Sequence, residues 1–179
     1  MKRGLVLLAN GFEDTEGIAT IDCLKRVGIE LDIVSVMDTN TIITQCKNTL
    51  VLDKNVTECS TSDYDFLFIP GGGAGINYLI KQNSISNIIL DFSCENKLIA
   101  TICAAPMLVG KLGLFENRKF TCYPGCEVGI KGKYTGDATT VSDNFITGKS
   151  MGHSIEFALE IVKYLLGTSA YNQLKQSIF

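Results

Sequence analysis

The sequence predicts an α/β protein in which helices cover both faces of a doubly wound, mostly parallel β-sheet. Short continuous apolar runs, typical of strands buried on both faces, alternate with helical stripes along almost the whole chain. The 179 residues, 46% of them hydrophobic, suffice for one core, and no repeat, low-complexity tract or linker divides them. We therefore expect residues 1–179 to form a single domain.

The first elements are a strand, a helix and a second strand. Residues 4–9 form an apolar run, a glycine-containing loop follows, and helical spacing then aligns Ile18, Ile21, Leu24 and Val27. Gly28 is a typical helix end, so residues 31–36 are predicted as a strand parallel to the first. In residues 41–52, two apolar stretches around a polar centre indicate either a hairpin, which we favour, or an excursion at the sheet edge.

The alternation continues to the end of the chain. The remaining predicted elements are strands at 66–69, 98–103 and 141–147, and helices at 85–92, 104–110, 155–166 and 171–176. Pro70–Gly73 forms a glycine turn after the strand at 66–69. Pro106 stands in the first turn of a helix, so a sharp strand-to-helix turn falls at Cys103.

Composition excludes several classes of partner. The net charge is -3 and no Lys/Arg cluster is longer than Lys2-Arg3, which argues against a nucleic-acid surface. The apolar runs are too short to span a bilayer. The first nine residues resemble a signal peptide, but polar Asn10 and acidic Glu13 follow at once. We therefore interpret this run as a buried first strand and expect a cytoplasmic protein. Seven cysteines, an odd number in a chain of this size, do not indicate a secreted disulfide framework, so most are expected to be reduced thiols.

Three loops at strand ends carry the candidate chemistry, because ligands of doubly wound folds bind outside the carboxyl ends of the strands. These loops are residues 10–16, 70–73 and 102–104. Cys103 stands where a strand becomes a helix, so helical amides are expected to lower its thiol pKa and make it a nucleophile or redox centre. The alternative is a buried structural thiol. Glu16 begins the first helix and is expected to face Cys103. The alternative is that Glu16 only stabilises the start of the helix, where acidic residues are favoured.

Other polar groups receive weaker assignments. Glu13 and Asp14 are expected at the wetter apex of the first loop, without a catalytic role. The glycines at 71–73 contain no phosphate-loop pattern, but their amides could bind an oxyanion. Cys122 and Cys126 are too few ligands for zinc, so no metal is predicted. His153, the single histidine, is expected to enter a helix rather than act as a base.

Together these motifs resemble the ThiJ/PfpI superfamily, and within it the DJ-1 branch. The resemblance rests on Leu7–Glu16, Pro70-Gly71-Gly72, Ala100–Pro106 and Glu156–Leu159, in order over essentially the whole chain. It implies a flavodoxin-like fold, usually a homodimer, with Cys103 as the reactive elbow cysteine and Glu16 as a protonated carboxyl hydrogen-bonded to its sulfur. Gly71, Gly72 and Ala104 are implied as substrate-binding or oxyanion groups.

Two departures from the family pattern bear on the site. Tyr123 stands where some relatives carry a histidine, and Lys149–Gly152 replaces a more usual basic residue followed by Gly-Pro-Gly. Protease members of the superfamily typically place a histidine after the elbow cysteine, and Ala104 stands there in this chain. A PfpI-type peptidase is therefore disfavoured.

The resemblance implies a role in carbonyl and oxidative stress. The expected activity is glutathione-independent glyoxalase or deglycase conversion of methylglyoxal or its adducts through a Cys103 hemithioacetal, with no cofactor. The alternative is a redox sensor or chaperone that uses oxidation of Cys103 without significant catalysis. The sequence leaves open the physiological substrate and the dimer face.

Overall fold

The computed structural model describes all of residues 1–179. The strands are β1 Arg3–Leu8, β2 Glu30–Ser35, β3 Thr41–Ile43, β4 Thr49–Val51, β5 Lys54–Asn55, β6 Phe66–Ile69, β7 Leu98–Ile102, β8 Lys119–Phe120, β9 Lys133–Tyr134, β10 Thr139–Ser142 and β11 Phe145–Gly148. The helices are α1 Asp14–Arg26, α2 Gly73–Leu79, α3 Asn83–Cys94, α4 Pro106–Lys111, α5 Ser154–Leu166 and α6 Thr168–Ile178. Short 3-10 turns span Val56–Glu58, Thr61–Asp63 and Met151–His153.

A seven-stranded sheet has the order β10-β11-β7-β6-β1-β2-β5, and all its pairs are parallel except β10 with β11. From β1 the chain continues to β2 on one side, whereas β6 and β7 lie on the other side. The strand order therefore reverses between β1 and β6, which is where such sheets open a crevice at the carboxyl ends of their strands. This arrangement confirms the predicted flavodoxin-like, mostly parallel α/β fold.

Each face of the sheet carries its own hydrophobic core. Leu5 and Leu7 of β1 face a core that includes residues of α2, α3 and α4. Val6 and Leu8 face the opposite core, which includes residues of α1, α5 and α6. Burial on both faces explains why β1, β6 and β7 are continuous apolar runs rather than alternating patterns.

Some local predictions are confirmed and others are wrong. The hairpin expected at 41–52 forms from β3 and β4. The single strand predicted at 141–147 is wrong: β10 and β11 form an antiparallel hairpin, and its turn residue Asp143 has a φ of 51°. Helix α2, which begins within the glycine turn, was not predicted. Ile21 and Leu24 of the predicted apolar stripe on α1 are buried, whereas Ile18 is 47% exposed.

None of the helices combines the length and the apolar character that crossing a bilayer requires.

Candidate active site at the carboxyl ends of the strands

Cys103 occupies a strained elbow between β7 and α4. Its φ is 63°, a left-handed conformation that is uncommon for a residue with a side chain. Hydrogen bonds fix the elbow on both sides: the Cys103 N–H donates to the Gly148 carbonyl (2.9 Å), and the Cys103 carbonyl accepts from the Tyr123 N–H (2.9 Å). Strain of this kind persists where surrounding structure holds it and is concentrated at functional sites.

Glu16, in the first turn of α1, is completely buried and held by the glycine turn after β6. The Gly71 N–H donates to Glu16 Oε2 (2.9 Å), and the Glu13 N–H donates to the Gly71 carbonyl (3.0 Å). Glu13 also caps α1, because its carboxylate accepts from the Glu16 N–H (2.7 Å). The two hydrogen bonds of Gly71 join the first loop and the start of α1 to the glycine turn, and the third fixes the helix start itself.

Gly71 brings the Glu16 carboxyl and Cys103 together because it has no side chain. A Cβ at this position would lie 2.5 Å from Glu16 Oε2 and 2.7 Å from the Cys103 Cβ. The remaining oxygen, Glu16 Oε1, is buried without a conventional hydrogen-bond partner. The Cys103 thiol interacts with this carboxyl, so one proton can pass between the two groups.

Burial raises the pKa of Glu16 to about 7. The contact with Cys103 and the Gly71 N–H oppose this rise, and the Glu13 carboxylate adds to it. The raised pKa agrees in direction with the protonated carboxyl that the family resemblance implies. Glu16 therefore keeps its proton to a higher pH than an ordinary glutamate does.

The prediction that helical amides lower the pKa of the Cys103 thiol is wrong. Burial raises this pKa, and the negative charge of Glu16 raises it further. The Ala104 N–H lowers it, but α4 has only six residues and its first amides do not outweigh the other effects. Cys103 is therefore a thiol at neutral pH, and the adjacent Glu16 carboxylate can accept its proton.

The N–H groups of the glycine turn are less available to bind an oxyanion than the sequence suggested. The Gly71 N–H is already engaged with Glu16 and so orients the carboxyl instead of facing an oxyanion. The Gly72 N–H donates to no protein acceptor, and the Ala104 N–H interacts with the Cys103 sulfur. Gly72 has a φ of 101° and its α-carbon packs against the first loop, so a side chain there would be strained.

A cavity of about 550 Å³ opens over this pair. It is lined by Glu13, Glu16, Gln45, Gly72, Gly73, Cys103, Ala104, Tyr123, Cys126, Ser150, Met151 and Gly152. The sequence predictions missed Gln45 and treated Cys126 only as an ordinary thiol. The Gln45 N–H donates to the Phe12 carbonyl (2.8 Å), which brings the β3–β4 hairpin to the cavity rim, and no spacing in the sequence indicates this contact.

The other candidate residues have structural contacts. His153 precedes α5 at its N-cap position, with Nδ1 3.8 Å from Glu156 Oε2, and does not line the cavity. Asp14 accepts hydrogen bonds from the Cys46 N–H (3.0 Å) and Asn48 Nδ2 (2.8 Å) and so holds the hairpin. Glu13, for which no catalytic role was expected, lines the cavity together with Glu16.

The chain matches a known protein family over most of its length. Residues 2–164 match the model of the DJ-1/PfpI family, a range that contains both Cys103 and Glu16. The chain belongs to the DJ-1/PfpI family.

Relatives in the DJ-1/PfpI family match this chain over nearly its full length. Protein dj-1beta of Drosophila melanogaster is 28% identical over 180 residues, which cover 99% of this chain and 96% of that protein. The crystal structure of a cysteine-to-alanine mutant of a DJ-1 superfamily protein from Salmonella typhimurium has a TM-score of 0.94 at 27% identity, with 99% and 98% of the two chains covered. Oxidised DJ-1 of Toxoplasma gondii has a TM-score of 0.91 at 26% identity, with coverages of 99% and 98%.

Proposed function

We propose that this DJ-1/PfpI family protein converts reactive aldehydes such as methylglyoxal, or their adducts, to hydroxy acids without glutathione. The observation that carries the proposal is the pairing of Cys103 on a strained elbow with a buried carboxyl whose pKa is about 7. A nucleophile and a proton acceptor tuned near neutral pH, both facing one cavity, are the groups that such a reaction needs.

The first step is addition of the Cys103 thiol to the aldehyde carbon. The sulfur forms a bond to carbon while the Glu16 carboxylate takes the thiol proton. That proton then passes to the carbonyl oxygen and gives a neutral hemithioacetal. The free Gly72 N–H and the Ala104 N–H are the donors available to the developing oxyanion.

The second step moves a proton between two carbons of the substrate. Glu16, again ionised, removes the proton from the carbon attached to sulfur, and the electrons form an enediolate with the neighbouring carbonyl. Return of the proton to that neighbouring carbon, with transfer of the hydroxyl proton from the first oxygen to the second, gives a hydroxy thioester of Cys103. Water then cleaves the thioester, which releases the hydroxy acid and restores the thiol.

The cavity size bears on the substrate class. A volume of about 550 Å³ lies in the range of sites for ligands much larger than a three-carbon aldehyde. This supports adducts of methylglyoxal as substrates alongside the free compound. Tyr123 and Met151, both about half exposed, present apolar surface at the rim where the larger part of an adduct would lie.

The second candidate function is redox sensing by Cys103 without significant turnover. Two observations favour it: a related structure is of oxidised DJ-1, and Glu16, when protonated, could donate a hydrogen bond to an oxidised Cys103 sulfur. A chaperone role remains only an implication of family membership.

A turnover assay separates these functions. Purified full-length protein is given methylglyoxal without glutathione, and hydroxy acid is measured for the wild type, Cys103→Ser and His153→Ala. We expect the wild type and His153→Ala to produce hydroxy acid at similar rates and Cys103→Ser to fall to the background rate. A wild-type rate equal to that of Cys103→Ser overturns the aldehyde proposal and leaves the redox function.

We also propose a homodimer. Ile18 of α1 is 47% exposed, and one turn earlier Asp14 binds the hairpin that exposes Ile43 (45%) and Val51 (78%). These exposed apolar side chains on α1 and on the hairpin support a contact between two copies. Sedimentation of Ile18→Glu should show monomers, whereas Val141→Glu, at a position 45% exposed on β10, should sediment as the wild type does. Dimeric Ile18→Glu would contradict this choice of face.

The state of the cysteines supports the proposed location in the cytoplasm. All seven are free thiols, and none is paired in a disulfide. Reducing compartments maintain this state.

A further inference from the structure

The cavity contains a second cysteine that the aldehyde reaction does not use. Cys126 lines the same cavity as Cys103, and both side chains are partly exposed. The other five cysteines lie outside the cavity: Cys23 and Cys122 are buried, and Cys46, Cys59 and Cys94 are exposed or partly exposed elsewhere. Cys126 is therefore the one thiol with access to the same bound molecule as Cys103.

Backbone hydrogen bonds fix the segment of Cys126 next to the elbow. The Tyr123 N–H donates to the Cys103 carbonyl (2.9 Å), and the Cys126 N–H donates to the Tyr123 carbonyl (2.9 Å). Charge on Cys126 is the smallest of the causes that raise the pKa of Cys103. Gly125, with a φ of 94° and open space around its α-carbon, gives the turn room to adjust.

The surroundings of the two thiols favour redox chemistry over metal binding. The structure contains no group of three or more His, Cys, Asp or Glu side chains arranged to hold a metal ion. Two partly exposed thiols and a carboxyl that line one open cavity instead suit capture of an oxidised cysteine by a second thiol.

We propose that Cys126 is a resolving cysteine, which attacks the Cys103 sulfur after a hydroperoxide has oxidised it and closes a disulfide across the cavity. This gives the protein a further activity, two-electron reduction of hydroperoxides. The activity goes beyond the proposed aldehyde conversion, which needs Cys103 and Glu16 but not the thiol of Cys126.

The reaction balances in two steps. The Cys103 sulfur attacks the terminal oxygen of the hydroperoxide, the O–O bond breaks, and the thiol proton passes through Glu16 to the departing alkoxide. The products are an alcohol and the sulfenic acid of Cys103. The Cys126 sulfur then attacks the Cys103 sulfur, and its proton leaves with the displaced hydroxide as water. A dithiol reductant returns the disulfide to two thiols.

Mass spectrometry of the full-length protein tests the proposal. Reduced wild type, Cys126→Ser and Cys46→Ser are each treated with equimolar hydrogen peroxide, and remaining thiols are blocked with iodoacetamide. We expect the wild type and Cys46→Ser to lose two hydrogens and two alkylation sites, with the Cys103 and Cys126 peptides joined. Cys126→Ser should lose this product and accumulate sulfenic and sulfinic acid at Cys103.

Assignment of the bond requires one more variant. Cys122 and Cys126 lie between the same two lysines, Lys119 and Lys131, so trypsin does not separate them. A Cys122→Ala variant should form the same linkage to Cys103, and Cys126→Ala replaces the serine variant if that variant fails to fold. The proposal is overturned if the wild type gains oxygen at Cys103 without a disulfide, if Cys122→Ala loses the linkage, or if the disulfide joins two chains. None of these outcomes depends on aldehyde turnover.

Discussion

Glu16 and Asp32 are two carboxyl groups with opposite surroundings. Asp32 Oδ2 on β2 accepts hydrogen bonds from Arg3 Nη2 (2.8 Å), Lys54 Nζ (2.9 Å) and the Tyr64 hydroxyl (2.8 Å). Glu16 is fully buried and receives one backbone N–H, and the groups that shift its pKa are a thiol, a carboxylate and that N–H, without a cation.

The two environments shift the pKa values in opposite directions. Burial tends to raise the pKa of Asp32, but Lys54, Tyr64 and Arg3 together lower it below its ordinary value. At Glu16 the hydrogen bonds with Cys103 and Gly71 lower the pKa by less than burial raises it, and the pKa is about 7. Ion pairs with Arg3 and Lys54 keep Asp32 ionised in a structural role. Burial without a paired cation instead gives Glu16 a pKa suited to proton transfer.

The largest expected effect is loss of turnover in Glu16→Gln. Glutamine fits the site and has an oxygen to accept from the Gly71 N–H, but it cannot accept and return a proton. We expect hydroxy-acid formation from methylglyoxal to fall by about 10²–10⁴-fold, the usual contribution of a general acid–base group. Parent-rate turnover in a folded Glu16→Gln protein would show that Glu16 is not the proton shuttle and would favour the redox function.

Glu16 should also make the folded state less stable as the pH rises. Its folded pKa of about 7 exceeds the ordinary value of 4.5, so its stabilisation is complete below pH 4.5 and is lost as the pH rises through 7. The shift corresponds to about 3 kcal/mol. Urea unfolding across this range should show the decline in the wild type and a smaller one in Glu16→Gln. Equal slopes would mean that Glu16 titrates normally.

Asp32→Asn should reduce stability without reducing turnover. The substitution removes the charge that pairs with Arg3 and Lys54, and we expect a loss of about 1–2 kcal/mol at neutral pH. Because the folded pKa of Asp32 is lowered, its contribution is present above 3.8 and disappears as the pH falls through the folded pKa. Wild type and Asp32→Asn should therefore converge in stability in acid. A difference that persists there would point to packing rather than charge.

The smallest expected effect is that of Glu13→Gln on the pH profile. The Glu13 charge adds to the raised pKa of Glu16, and glutamine keeps an oxygen that can cap α1. The pH at which kcat/KM reaches half of its maximum should therefore fall. This fall should be smaller than the rise that burial produces in the pKa of Glu16. An upward move would mean that Glu13 does not act through its charge.

The sequence predicts the positions of the main groups but not their interactions. Cys103 and Glu16 are identifiable because each stands where a strand ends, and the sheet order brings those ends together. The direction of the Cys103 pKa, the Gly71 hydrogen bond to Glu16 and the presence of Cys126 in the cavity depend on contacts between distant segments. The hairpin at β10–β11 was missed although its two-residue turn, Asp143-Asn144, contains residue types that favour turns, because the segment was interpreted as one continuous strand.

Carbon-13 NMR titration of the side-chain carboxyl carbons tests the central claim most directly. The resonances of Glu16 and Asp32, assigned with Glu16→Gln and Asp32→Asn, are followed in one sample of reduced protein from acid to pH 9. We predict a midpoint near pH 7 for Glu16 and one below 3.8 for Asp32. A Glu16 midpoint at or below 4.5 would contradict the claim that burial prepares this carboxyl to exchange a proton with Cys103.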